Sequence, residues 1–187
     1  MTTTDTLETI LRSARATVQA RGYNALSFRE LAKEVGIKSA SIHYYFPTKG
    51  DLGAALAKRY AEEAAAFLQK LTESKSTLPE RIRAYTGIFR AALADDNRMC
   101  LYGIMAAERA DLPGEVRSEV DRFVEVNIQW LTEQLGGHKS GARKADQKRA
   151  LAIFAAIEGA QLVARGRGDI TAYDQAIEAY RATGLIP

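Results

Sequence analysis

Apolar positions recur along this 187-residue chain at intervals of three and four, and nowhere do they alternate with the period of a strand. The pattern predicts an all-α protein of about nine helices. Leu7, Ile10, Leu11, Ala14 and Val18 share one face of a first helix over about residues 6–21, where basic Arg21 and then Gly22 mark its end. Ser27 followed by Glu30 reads as a capping box, so a second helix starts at Phe28. Phe28, Leu31, Ala32 and Val35 form its inner face, and Gly36 stops it. A third helix begins near Ser39 and breaks at Pro47. Thr48 and Asp51 offer another capping box, for a fourth helix to about residue 72. After a polar linker at 73–79, helices are expected over about 79–94, 99–110, 114–135, 142–165 and 170–183, with a loop at 136–141.

Two short helices meeting at a glycine form a helix-turn-helix signature. In the third helix Ile42, Tyr45 and Phe46 suffice to hold the inner side. That leaves Ser39, Ala40, Ser41, His43 and Tyr44 outward, with Lys38 and Lys49 on either flank. Short hydroxyl side chains let a helix approach a groove closely and bond to base edges or phosphates.

Charge supports that placement. Net charge is only +3, but residues 1–60 carry nine Lys or Arg against five acids, a local +4, and the rest of the chain carries −1. A surplus beside the helix-turn-helix suits binding driven by phosphates and weakened by salt.

The run Gly36-Ile37-Lys38-Ser39-Ala40-Ser41-Ile42-His43-Tyr44-Tyr45-Phe46, followed by Lys49, closely resembles the recognition helix of TetR/AcrR-type transcriptional regulators. The likeness covers roughly residues 6–56, and His43 departs from it, standing where tyrosine is common. It implies a helix-turn-helix DNA-binding domain over 1–50, a linking helix over about 49–72, and a helical effector-binding and dimerisation domain over 51–187. It also implies a homodimeric repressor on a palindromic double-stranded DNA operator, released by a small-molecule inducer. By the resemblance, Arg29, Ser39, Ser41 and His43 are expected at bases; Ser27, Tyr44, Tyr45 and Lys49 at phosphates; and Lys38 at DNA.

Residues 151–164 are apolar nearly all round and rich in small side chains, more than one chain can cover. In TetR-like proteins the last two long helices pair with their mates in a four-helix bundle. The resemblance thus implies an interface containing Phe154, Ile157, Ala160, Gln161, Ala164, Tyr173 and Ile177.

An effector pocket is expected from Phe89, Cys100, Tyr102, Met105, Phe123, Asn127, Trp130 and Gln161, because polar Asn127 and Gln161 lie on otherwise apolar faces and require partners. Cys100, the only cysteine, follows Arg98 and opens a short helix, two influences that favour the thiolate. Its Cys-Leu start and downstream Glu108 resemble a TetR subgroup in which some members respond to electrophiles or oxidants. Control by oxidation or alkylation of Cys100 is therefore the alternative to an inducer, and a small buried hydrophobe is the plainer reading of the same residue.

Other classes fare poorly. His43 and His138 are the only histidines, and the chain has no P-loop, dinucleotide fingerprint or zinc motif, so neither an enzyme nor a cofactor is expected. A helical interaction module that ignores DNA leaves the outer face of residues 38–49 unexplained. Without a bilayer-length apolar run or a secretory segment, a cytoplasmic protein is expected.

Overall fold

A computed structural model describes residues 3–74, 76–136 and 143–187. Among these residues the chain is all-helical: α1 Thr3–Arg21, α2 Phe28–Val35, α3 Ser39–Tyr45, α4 Lys49–Glu73, α5 Leu78–Ala94, α6 Leu101–Ala107, α7 Gly114–Gly136, α8 Arg143–Arg167 and α9 Ile170–Ala182. A 3-10 turn, Arg109–Asp111, separates α6 from α7. The expected loop at 136–141 lies outside the described residues beyond Gly136, as does His138.

Local chemistry sets most boundaries. Gly36 takes a left-handed φ of 78° and donates to the Ala32 carbonyl, closing α2. Thr48 and Asp51 form the expected reciprocal cap, with Thr48 N to the Asp51 carboxylate at 2.9 Å and Asp51 N to the Thr48 hydroxyl at 3.0 Å. A further capping box opens α5, where the Glu80 carboxylate accepts from the Thr77 N–H at 2.7 Å. These bonds hold the Glu80 carboxyl below the usual range.

The expected box at Ser27 is not made. Ser27 is extended and its carbonyl accepts from Leu31 N, but its hydroxyl caps nothing. Glu30, which would complete the box, pairs instead with its neighbour Arg29 at 3.2 Å. The sixth helix is also shorter than its pattern suggests. From Glu108 on, the backbone bonds tighten to three-residue steps, Glu108 N to Met105 O and Asp111 N to Glu108 O.

The described chain forms two compact units. One comprises Met1–Ala61 with Leu101–Phe123, and the other comprises Glu62–Cys100 with Val124–Pro187. This differs from a division at residue 50, because α6 and the start of α7 share the core of the helix-turn-helix. In that first unit Ile10, Ala14, Val18, Leu31, Ile42 and Leu52 pack with Leu101, Met105, Val116 and Val120. The second unit packs α5, α8 and α9 together around Ile82, Tyr85, Ile153, Ile157, Tyr173 and Ile177.

Candidate functional site

Two buried side chains, Ile42 at 0% exposure and Phe46 at 6%, seat α3 against the first unit's core. Each contributes about 1.5–3 kcal/mol by leaving water. The remaining positions are turned outward as a consequence. Tyr44 is 80% exposed, the largest apolar exposure among the described residues, and its ring meets Tyr45 edge-on at 5.3 Å. Lys38, Ala40 and His43 are exposed, while Ser39, Ser41 and Tyr45 are half-buried. Arg29 and Ser27, on the adjoining end of α2, are exposed as well.

Two of the expected DNA contacts are held within the fold. His43 packs edge-on against Phe28 at 4.7 Å, and its Nδ1 lies 3.3 Å from the Pro47 carbonyl. Those contacts fix the ring between the first residue of α2 and the segment just after α3. Lys49 donates to the Asn24 carbonyl at 3.1 Å and lies 4.7 Å from the centre of the Tyr23 ring. Burial lowers its pKa, with the charge of Glu108 opposing. Its charge adds to the local potential, but its ammonium is already engaged.

The segment before α2 is clamped by a residue far along the chain. Glu108 accepts from the backbone N–H of Tyr23 and, at 3.4 Å, from that of Asn24. Asn24 in turn donates to Asp111 at 3.0 Å. Gly22 makes room for the clamp: its φ is 91°, and a Cβ there would stand 2.4 Å from the Glu108 carboxylate. Sequence reading attached Glu108 to the cysteine segment alone, since nothing local indicates a partner 85 positions away.

The eight residues expected around an effector divide between the units. Tyr102, Met105 and Phe123 fall in the first, where Tyr102 and Phe123 stack at 5.7 Å and Met105 is fully buried. Phe89, Cys100, Asn127, Trp130 and Gln161 fall in the second. Asn127 and Gln161 have the partners that burial demands: Tyr85 donates to Asn127 at 2.9 Å, and Gln161 joins the Phe89 carbonyl at 2.7 Å to the Cys100 N–H at 2.9 Å.

Cys100 is 2% exposed. Arg98, expected to favour a thiolate, is directed at Asp95 at 2.7 Å. Glu158 is the residue sequence reading passed over. Both its oxygens are sealed from water, and neither has a hydrogen-bond partner among the described residues. Burial pushes its carboxyl up to about 7. A single acid inside a fourteen-residue apolar run was the available signal.

Phe154, Ile157, Ala160, Gln161, Ala164, Tyr173 and Ile177, expected at a dimer face, turn instead into their own chain, none more than 4% exposed. They fill the space among α5, α8 and α9. The open side of α8 carries Leu151, Leu162 and Val163, each more than half exposed, with Ala152, Ala155 and Gly159 between them. No described helix is long and apolar enough to cross a membrane.

Residues 10–56 match the family model for bacterial regulatory proteins of the tetR family. The chain is similar to the crystal structure of a TetR transcriptional regulator from Legionella pneumophila, with 33% identity, 98% of each chain covered and a TM-score of 0.88. It is also similar to a TetR-family regulator from Agrobacterium tumefaciens, at 31% identity over 92% of this chain and 94% of that one, TM-score 0.84. Reduced NemR from E. coli shares the fold at 24% identity, over 94% of this chain and 95% of that one, TM-score 0.77. A search of curated protein sequences found no match. With an exposed recognition helix on a buried two-residue anchor and whole-chain likeness above 30% identity, the chain belongs to the TetR family and is a DNA-binding transcriptional regulator.

Proposed function

We propose that the protein is a cytoplasmic, non-catalytic homodimeric repressor that reads a palindromic operator with α3 and releases it when a small molecule occupies the second unit. The observation that carries the DNA-reading part is the outward set Lys38, Ala40, His43 and Tyr44 on a helix anchored by Ile42 and Phe46, with Tyr45 packed partly against the same core. Arg29, Ser39, Ser41 and His43 face bases in this reading, with His43 orientated by Phe28 and Pro47. Ser27, Tyr44 and Tyr45 face phosphates, Ser27 with a hydroxyl not used to cap α2. Lys38 reaches the backbone beside them. Lys49 acts mainly by fixing the Tyr23–Asn24 segment and contributes charge at longer range.

A second copy covers the apolar side of α8, with Leu151, Leu162 and Val163 as its large contacts and Ala152, Ala155 and Gly159 allowing close approach. Dimerisation supplies two α3 helices for half-sites about 34–36 Å apart. An inducer acts by favouring a spacing the operator does not match. A coupling of about 1–3 kcal/mol weakens DNA binding roughly 5- to 150-fold.

Control through Cys100 is the less favoured of the two effector readings, because the thiol is buried. The deciding experiment is selection of bound duplexes from a random pool by the full-length protein at physiological salt. A recovered palindrome with two equivalent half-sites supports the dimeric reader. Binding without sequence preference refutes it.

A further inference from the structure

We propose that Glu158 anchors the effector site of the second unit, and that the effector is a small organic cation with N–H donors on an aromatic or alkyl body. The proposal rests on the inducible-regulator reading and adds to it the ligand's chemical class.

An unpaired buried carboxylate is costly, and proteins normally place a cation or several donors against it. Here the groups around Glu158 have committed their hydrogens elsewhere. Tyr85 on α5 donates to Asn127, and Tyr173 on α9 donates to the Thr86 carbonyl at 2.8 Å. Gln161, one turn along α8, donates to Phe89 at 2.7 Å. Tyr85 and Tyr173 lie near enough for the Glu158 charge to raise both their pKa values, after burial itself.

Five of the second unit's arginines are occupied too. Arg90 makes paired bonds to Asp174 at 2.7 and 2.8 Å, Arg98 meets Asp95, and Arg165 donates to the Asn97 carbonyl at 2.9 Å. Arg181 donates to Thr86, and Arg149 to the Gly184 carbonyl. Neither carboxyl oxygen of Glu158 has a hydrogen-bond partner among the described residues.

Aromatic rings complete the recognition. Trp130 lies 5.2 Å from Tyr85, and Phe89 lies 5.4 Å from it, so the phenol beside Glu158 belongs to an aromatic group suited to a cation's body. A metal ion is a poor fit, since among the described residues no group of three or more His, Cys, Asp or Glu could hold one. An ammonium or amidinium N–H directed at Glu158 takes the place of the carboxyl proton, which passes to solvent.

The probes are phenylalkylamines with about two to six methylenes, each matched to the alcohol and the carboxylate of the same length. Each is titrated into full-length protein near pH 7 while the fluorescence of Trp130, the only tryptophan, is followed. The best amine is expected to bind at least about tenfold more tightly than its alcohol, with the carboxylate weaker still. In Glu158→Gln the amine and alcohol should fall within about threefold of each other. Calorimetry of the unaltered protein in buffers of different ionisation enthalpy should register release of about half a proton per amine bound. Absence of saturable binding by every amine, equal binding of alcohol or carboxylate, retained preference in Glu158→Gln, or binding without proton release would each overturn the proposal. The proton count decides the matter if the variant does not fold. Operator selection with the same preparation separates the two readings. If a palindrome is recovered and amines do not bind, only the cation class falls; if none is recovered, the regulator reading fails whatever the amines do.

Discussion

Replacing Glu158 with glutamine should change how stability depends on pH, and the size of the change follows from the buried carboxyl. Its pKa is raised by burial from 4.5 to about 7. The native state therefore binds its proton more tightly than the unfolded chain, and stability falls as pH rises between those two values. Below about pH 4.5 the residue costs nothing in this respect, and above about pH 7 the cost levels off near 3 kcal/mol. Between about pH 5 and pH 8 the unaltered protein should lose about 2–3 kcal/mol that Glu158→Gln keeps. Glutamine preserves shape and length, and comparing two proteins at each pH cancels the titrations that do not depend on the Glu158 charge; those of Tyr85 and Tyr173 lie above this pH range. Urea unfolding of both proteins at a series of pH values measures the gap. Parallel stability profiles would refute the reasoning, since they would mean that the carboxylate is neutralised or hydrated in the folded protein.

Three further outcomes follow from the geometry. Gly22→Ala should destabilise the protein by about 1–3 kcal/mol, because alanine at a φ of 91° is strained and its Cβ would displace the Glu108 carboxylate from the Tyr23 N–H; an unchanged urea midpoint would count against the clamp. Tyr44→Ala should leave stability within about 0.5 kcal/mol, since the ring is 80% exposed, while sharply weakening binding to a selected operator in a mobility-shift assay; undiminished affinity would remove α3 as the reader. Leu162→Glu, at an exposed position of α8, should halve the mass measured by light scattering without loss of helical circular dichroism, and a dimer that persists would move the interface elsewhere.

The elements that were legible in the sequence are those whose cause is local. Gly36 ends α2 through its own left-handed backbone, and Thr48 with Asp51 starts α4 through bonds three residues apart. The outward set on α3 likewise follows from Ile42 and Phe46, its own neighbours. A local rule failed at Ser27 because Glu30 had a competing neighbour, Arg29, and an exposed carboxylate chooses between such partners at little cost.

The second half of the chain was legible as helices but not as faces. Periodicity fixes which side of a helix is buried only when the other side is polar. Along 151–164 both sides are apolar, so the pattern has no phase and Ile157 reads the same as Leu162. The structure separates them, 0% against 57% exposed, because α5 and α9 pack on one side only. The side that stays open in one chain is the side a symmetric partner can cover without disturbing the interior. Glu158 stands out by the same reasoning. In a run where apolar side chains are interchangeable, the acid is the one residue whose burial needs something beyond packing, and neither of its oxygens has a hydrogen-bond partner among the described residues.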